Sequence, residues 1–206
     1  MIRHARTNDN GREGGKLPRH ADAWLAFALV IAAIAMRFAP HPPNFTPVAA
    51  AAIFAGAMLA SRGKWLVAPI AMLVSDAFIG FYNPVSMAFV YAGLGAGAVV
   101  GWALLRSRRS ALRLVTASLS ASVLFFMLSN FGVWLIGVVP FGGSVAYYPT
   151  TPGGLYQCYV SGLPFFRWTL LGDFVYTVTL FGAHALAVRG VSLAIPNVIQ
   201  QADDRR

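Results

Sequence analysis

Arg37, His41 and Asn44 sit close together in one stretch, Arg37-Phe-Ala-Pro-His-Pro-Pro-Asn-Phe-Thr-Pro47. A guanidinium, an imidazole and an amide offer both donors and acceptors to a small polar ligand. The prolines at 40, 42, 43 and 47 remove backbone donors and fix φ, so no regular helix passes through. Pro47 suits the first turn of a following helix. The stretch therefore reads as a stiff polar corner between two apolar runs: either a rigid turn alone or the rim of a ligand pocket.

Asp76, Asn83, Asn130, Trp134, Tyr156, Asp173 and Tyr176 extend this set. An ionisable side chain within an apolar run is costly, and so is a functional candidate by default. At about 1.5 Å per residue, Asp76 lies roughly 9 Å and Asp173 roughly 13 Å inside their runs. Asn83 lies one heptad beyond Asp76, on the same helix face. Asn130 and Trp134 are four apart and share a face, and Tyr176 and Thr177 share that of Asp173. The competing structural readings are ion pairs, Arg37 with Asp76 and Arg167 with Asp173, and Asn130 as a bond between helices. His184, eleven residues after Asp173, is either a packed histidine or part of a proton relay.

No residues are spaced for catalysis. There is no Gly-x-Ser-x-Gly, no His-Glu-x-x-His and no phosphate loop. Cys158 has no basic neighbour in sequence to activate it. As the single cysteine, it excludes an internal disulfide and a cysteine-rich metal site. The expectation is a non-enzyme without a cofactor or resident metal. Cys158 and His41 offer the donors that a metal-containing vitamin such as a cobalamin would need.

The elements that must position these residues are apolar helices. The chain of 206 residues is 57% hydrophobic and 11% charged, against about 25% charged in soluble domains. An integral membrane protein follows. A net charge of +9 could suggest nucleic acid, but the basic residues lie between apolar runs and form no basic face. Six spans are predicted, at 22–39, 47–61, 65–82, 85–105, 112–139 and 165–188. Against the roughly 20 residues a crossing helix needs, the second is marginal, as a short span or a re-entrant one, and the fifth is over-long. The fifth is expected to tilt or to end near Ser129-Asn130.

Residues 1–21 read as a disordered basic tail, 22–189 as the transmembrane domain and 190–206 as a second tail. With both termini cytoplasmic, 14 of the 16 Lys and Arg residues fall inside, leaving Arg37 and Arg167 outside. That is the positive-inside pattern. Residues 140–164 then form a long outer loop, uncharged and rich in tyrosine, glycine and proline. Gly93, Gly97 and Gly101, Ala52, Gly56 and Ala60, and Ala28 and Ala32 are small residues four apart, as close helix packing requires. All the polar candidates fall in the outer half of the membrane. The expected fold is therefore an all-α, six-helix transmembrane bundle with an aromatic-lined cavity open to the outside.

His41-Pro-Pro-Asn-Phe-Thr-Pro-Val48, Ser75-Asp76, Ser129-Asn130-Phe131 with Trp134, Thr151-Pro-Gly-Gly-Leu-Tyr-Gln-Cys-Tyr159 and Pro164-Phe165 carry a resemblance. The chain resembles a family of small bacterial integral membrane proteins, and that family is similar to the substrate-binding S-components of energy-coupling-factor vitamin transporters. The resemblance implies six helices around a ligand near the outer surface. It also implies a first-helix alanine face, Ala28 and Ala32, that binds a membrane coupling subunit working with ATPases. The expected function is binding and translocation of a small water-soluble, ring-containing solute, such as a vitamin, in the bacterial inner membrane. The alternatives are a non-transporting assembly subunit of a larger membrane complex and a proton-coupled carrier using Asp76 and Asp173.

Overall fold

The computed structural model describes residues 19–138 and 146–203, with side chains over 23–138 and 146–188. The described residues fold into six α-helices: α1 (Arg19–Phe38), α2 (Val48–Met58), α3 (Val67–Ile79), α4 (Pro84–Leu105), α5 (Ala111–Leu135) and α6 (Pro152–Asp203), with a 3-10 turn at Arg62–Trp65. The expected disorder of 1–21 falls mostly outside the described residues, and 19–21 already belong to α1. The expected tail from residue 190 is helical as far as Asp203.

Three helices are long and apolar enough to cross a membrane: α4, α5 and the 152–188 part of α6. Large apolar side chains cover the outside, with Phe78 77%, Leu112 76% and Trp24 71% exposed. Water tolerates scattered apolar groups but not such a surface, whereas lipid does. This is a membrane protein.

The centre of the bundle is α2. At about 16 Å it reaches through roughly half of a bilayer core. Ten of its residues, Val48 to Ala57, are buried. A helix apolar all round belongs inside protein, and its alanines let neighbours approach. It packs chiefly on α4, then on α6 and α3. Phe54 of α2 meets Phe181 of α6 edge-on at 4.9 Å between centroids, and His184 edge-on at 5.7 Å. His184 is therefore a packed histidine, and no bond links it to Asp173.

Glycine sets the α2–α4 distance. A Cβ on Gly101 would fall on the Ile53 carbonyl oxygen, and one on Gly56 on that of Ala98. Gly97 faces Ala49 and Ala52 at ordinary contact distances of 3.4–3.5 Å. Ala28 and Ala32 do not pack within the bundle as their spacing suggested: both are exposed on α1, whose inner face is Leu29 and Ala33.

Local signals place the helix ends. Asn83 caps α4, its Oδ1 accepting from the Val85 and Ser86 N–H groups at 2.9 and 3.3 Å ahead of Pro84 in the first turn. Ser110 caps α5 through the Arg113 N–H at 3.3 Å. α3 stops at Gly80, whose φ of 119° suits glycine. Asn83 thus lies beyond the end of α3, not on the Asp76 face.

The largest correction concerns the outer loop. α6 starts at Pro152, not near residue 165, so 152–164 is helix. The reason is a cap: the Thr151 hydroxyl accepts from the Gly154 N–H at 3.1 Å, with Pro152 in the first turn. Pro164 withholds its own N–H without ending the helix. Residues 140–145 of that loop, and residue 139 at the end of the fifth predicted span, lie outside the described residues. α5 does not stop at Ser129-Asn130 but runs to Leu135.

At the opposite end, the basic connections come together. Lys64 is only 8% exposed, with its ammonium 5.0 Å from the Trp65 ring centroid. Burial first, and then the charge of Arg106, lower its pKa.

Candidate functional site

The proline corner is a tight turn. The Phe45 N–H donates to the Pro42 carbonyl at 3.0 Å, closing Pro42-Pro43-Asn44-Phe45. Asn44 has φ 64°. Proline at the second position and asparagine at the third, with positive φ, are what a type II turn requires. The corner rests on α6, where a Cβ on Gly172 would come 3.2 Å from the Phe45 Cα and where Tyr176 meets the Phe45 ring at 5.3 Å. This contact brings Asn44 over the middle of α6, next to Asp173.

A cavity of about 570 Å³ opens beneath the corner. It lies where α1 ends, α2 begins, α3 ends, α4 begins and α5 ends. Its polar lining includes Arg37, His41, Asn44, Asn83, Thr169 and Asp173. Tyr82, Phe125 and Tyr147 supply its rings. The rim is open, with Tyr147 74% exposed, while Asp173 on the floor is 2% exposed. A second cavity of about 200 Å³ adjoins it, sharing Asn44, Val90, Phe125, Val133 and Thr169 and adding Asn130.

The two aspartates have different surroundings. Asp76, 1% exposed, takes the Arg37 guanidinium on Oδ1 at 2.5 Å. It takes the Tyr91 hydroxyl on Oδ2 at 2.8 Å. Arg37 also reaches the Met72 sulfur at 2.9 Å. The expected Arg37–Asp76 pair therefore forms, with Tyr91 as an unforeseen third member. The expected Arg167–Asp173 pair does not form: Arg167 is exposed and lies 5.3 Å from the Trp168 ring centroid. Asp173 instead accepts from the Ser122 hydroxyl at 2.6 Å.

The structure thus gathers five of the ten predicted ligand residues, Arg37, His41, Asn44, Asn83 and Asp173, around one cavity. Asp76 stands behind Arg37, and Asn130 lines the adjoining space. Trp134, Tyr156 and Tyr176 lie outside both linings. Trp134 Nε1 donates to the Pro149 carbonyl at 3.1 Å, tying α5 to the connection that follows it. Tyr156 is 71% exposed on the first turns of α6. Asn130 Nδ2 donates to the Phe126 carbonyl at 2.8 Å, and its side chain lies against Gly162, where a Cβ would displace it. Cys158 is buried, its thiol donating to the Asn130 carbonyl at 3.2 Å, and it does not meet His41 in either lining. Among the described residues, no group of three or more His, Cys, Asp or Glu side chains could hold a metal.

Sequence reasoning missed Tyr91, Ser122 as a partner of Asp173, and the cavity rings Tyr82 and Phe125. Tyr91 carried a signal, because a phenol in the middle of an apolar helix needs a partner for its hydroxyl. A family described as "Family of unknown function (DUF6580)" matches residues 18–196. The chain belongs to that family. No curated protein and no solved structure matches it. The family match covers α1 to α5, α6 as far as residue 196, and every residue of the two cavities.

Proposed function

We propose that this member of the family is a membrane-embedded binding subunit for uptake of a small, water-soluble, ring-containing solute. The observation that carries the reading is the cavity: polar groups, aromatic faces and a buried aspartate at one end of an otherwise apolar bundle. Ligand sites have this form, concave and mostly apolar with a few placed polar groups. In this reading the chain sits in the bacterial inner membrane with both termini cytoplasmic and the cavity facing out. The short helices α2 and α3 complete a six-helix arrangement. The 14-to-2 division of Lys and Arg supports that orientation. The resemblance to energy-coupling-factor S-components supports a coupling partner with ATPases. The exposed Ala28 and Ala32 on α1 are where such a partner would dock.

Two experiments test this. Tyr147→Cys, at the open rim, should react with a membrane-impermeant thiol reagent in intact cells, and buried Cys158 should not compete. Labelling only after lysis would turn the cavity to the wrong side for uptake. Small molecules released from protein purified in mild detergent should include a ring-containing solute by mass spectrometry. Val133→Trp, where the two cavities meet, should retain less than about a tenth of it, since the added rings fill the space while the helices stay folded. Equal occupancy in wild type and Val133→Trp would place the solute elsewhere.

A further inference from the structure

The charges around the cavity do not balance. Arg37 carries a positive charge into the lining, but Asp76 already pairs with it, and Tyr91 holds the other oxygen of that carboxylate. Asp76 thus supplies the counter-charge of Arg37, although the buried Arg37 Nε has no partner among the described residues. Among the described residues Asp173 has no such charged partner. It is 2% exposed and lines the cavity. Its one side-chain bond is from the Ser122 hydroxyl. That hydroxyl also lies 3.0 Å from the Ser118 carbonyl, and its single hydrogen serves only one acceptor at a time. Among the described residues the one ion pair is Arg37–Asp76. A carboxylate has about four acceptor sites, so most of those on Asp173 are left for whatever occupies the cavity.

We propose, resting on the solute-binding reading above, that Asp173 anchors a cationic nitrogen group of the solute, an amine or an amidine. A buried carboxylate is costly without a counter-charge, and a cationic donor offsets that cost where dielectric screening is weak. An anionic solute meets repulsion at the same point, and a neutral one leaves the carboxylate without a counter-charge. Tyr82, Phe125 and Tyr147 suit the ring that carries the group, by stacking and by attraction between cation and ring face. Selectivity then comes from charge at the floor and from ring shape above it.

Benzamidine, benzamide and benzoate share one shape and differ in charge, so they serve as probes. Binding is followed by thermal shift and calorimetry on the full chain in detergent. Wild type should bind benzamidine at least about tenfold more tightly than benzamide, as one charge-assisted hydrogen bond implies, and benzoate most weakly. Asp173→Asn should bring benzamidine down to the level of benzamide measured on the same variant. If Asp173→Asn does not fold, Asp173→Ser takes its place, and the order of the three probes on wild type is decisive without either variant. Benzamide or benzoate binding as tightly as benzamidine overturns the anchor and leaves the solute-binding reading standing. So does a benzamidine preference that survives loss of the carboxylate. Failure of all three probes to bind overturns the anchor too, while the solute-binding reading is judged separately by the molecules that Val133→Trp loses.

Discussion

Gly101→Leu should leave no folded bundle to purify, and even Gly101→Ala should lower the melting temperature sharply. A Cβ at Gly101 would meet the Ile53 carbonyl of α2, and one at Gly56 the Ala98 carbonyl of α4. Each helix thus places a glycine against the other's backbone, and a backbone cannot turn aside as a side chain can. Relief requires the helices to separate, and α2 touches protein on all its faces. Separation would loosen its contacts with α3, α5 and α6 as well as α4. Overpacking a fitted core costs about 1–3 kcal/mol. We expect Gly101→Ala to lie at the top of that range and Gly101→Leu beyond it.

Gly95 on the same helix is the control, with nothing within 4 Å of its added Cβ. Gly95→Ala should be neutral or stabilising, by up to about 1 kcal/mol from helix propensity. Melting curves in one detergent compare the two alanine variants with wild type, and the yield of folded protein reads out Gly101→Leu. Equal melting of Gly95→Ala and Gly101→Ala would mean that backbone proximity does not hold α2 in place.

The same residues show what could be read from sequence. The four-residue spacing of Gly93, Gly97 and Gly101 announced close packing, because only small side chains permit it. It could not say which glycine sits against a carbonyl, since that depends on the angle at which α2 crosses α4. For α1 the spacing did not mark a contact within the bundle: Ala28 and Ala32 look outward, and small size alone does not distinguish a face packed inside from an exposed one. The proline corner was legible because proline and asparagine restrict their own backbones. The start of α6 was not, because Thr151-Pro152-Gly153-Gly154 has the composition of a turn and the geometry of a helix cap. The clustering of polar residues at one end of the bundle survived these errors. It depends on how deep each residue lies along its helix, which the 1.5 Å rise fixes. Partner choice did not survive equally: Asp76 found Arg37, while Asp173 found Ser122 on α5 instead of Arg167 on its own helix.

The Arg37–Asp76–Tyr91 group gives the second large effect. Asp76→Asn should cost about 3–5 kcal/mol, because it leaves a largely desolvated guanidinium without its counter-charge. Arg37→Gln should cost a comparable amount by stranding the carboxylate, which is 1% exposed. The double variant, with two neutral amides in their places, should lose much less than the sum, because neither charge remains to be compensated. Tyr91→Phe should cost about 1–3 kcal/mol by removing one donor from a buried carboxylate. Its effect should largely vanish in the Asp76→Asn background, where the oxygen it served carries no charge. Equilibrium unfolding or melting in detergent supplies the four corners of each cycle. Additive losses would show that the three side chains are near one another without being coupled, and a structural role for Arg37 would then fall. Strong coupling together with unchanged solute binding in the double variant would assign Arg37 and Asp76 to holding α1 against α3. Recognition would then rest on Asp173 and the rings above it.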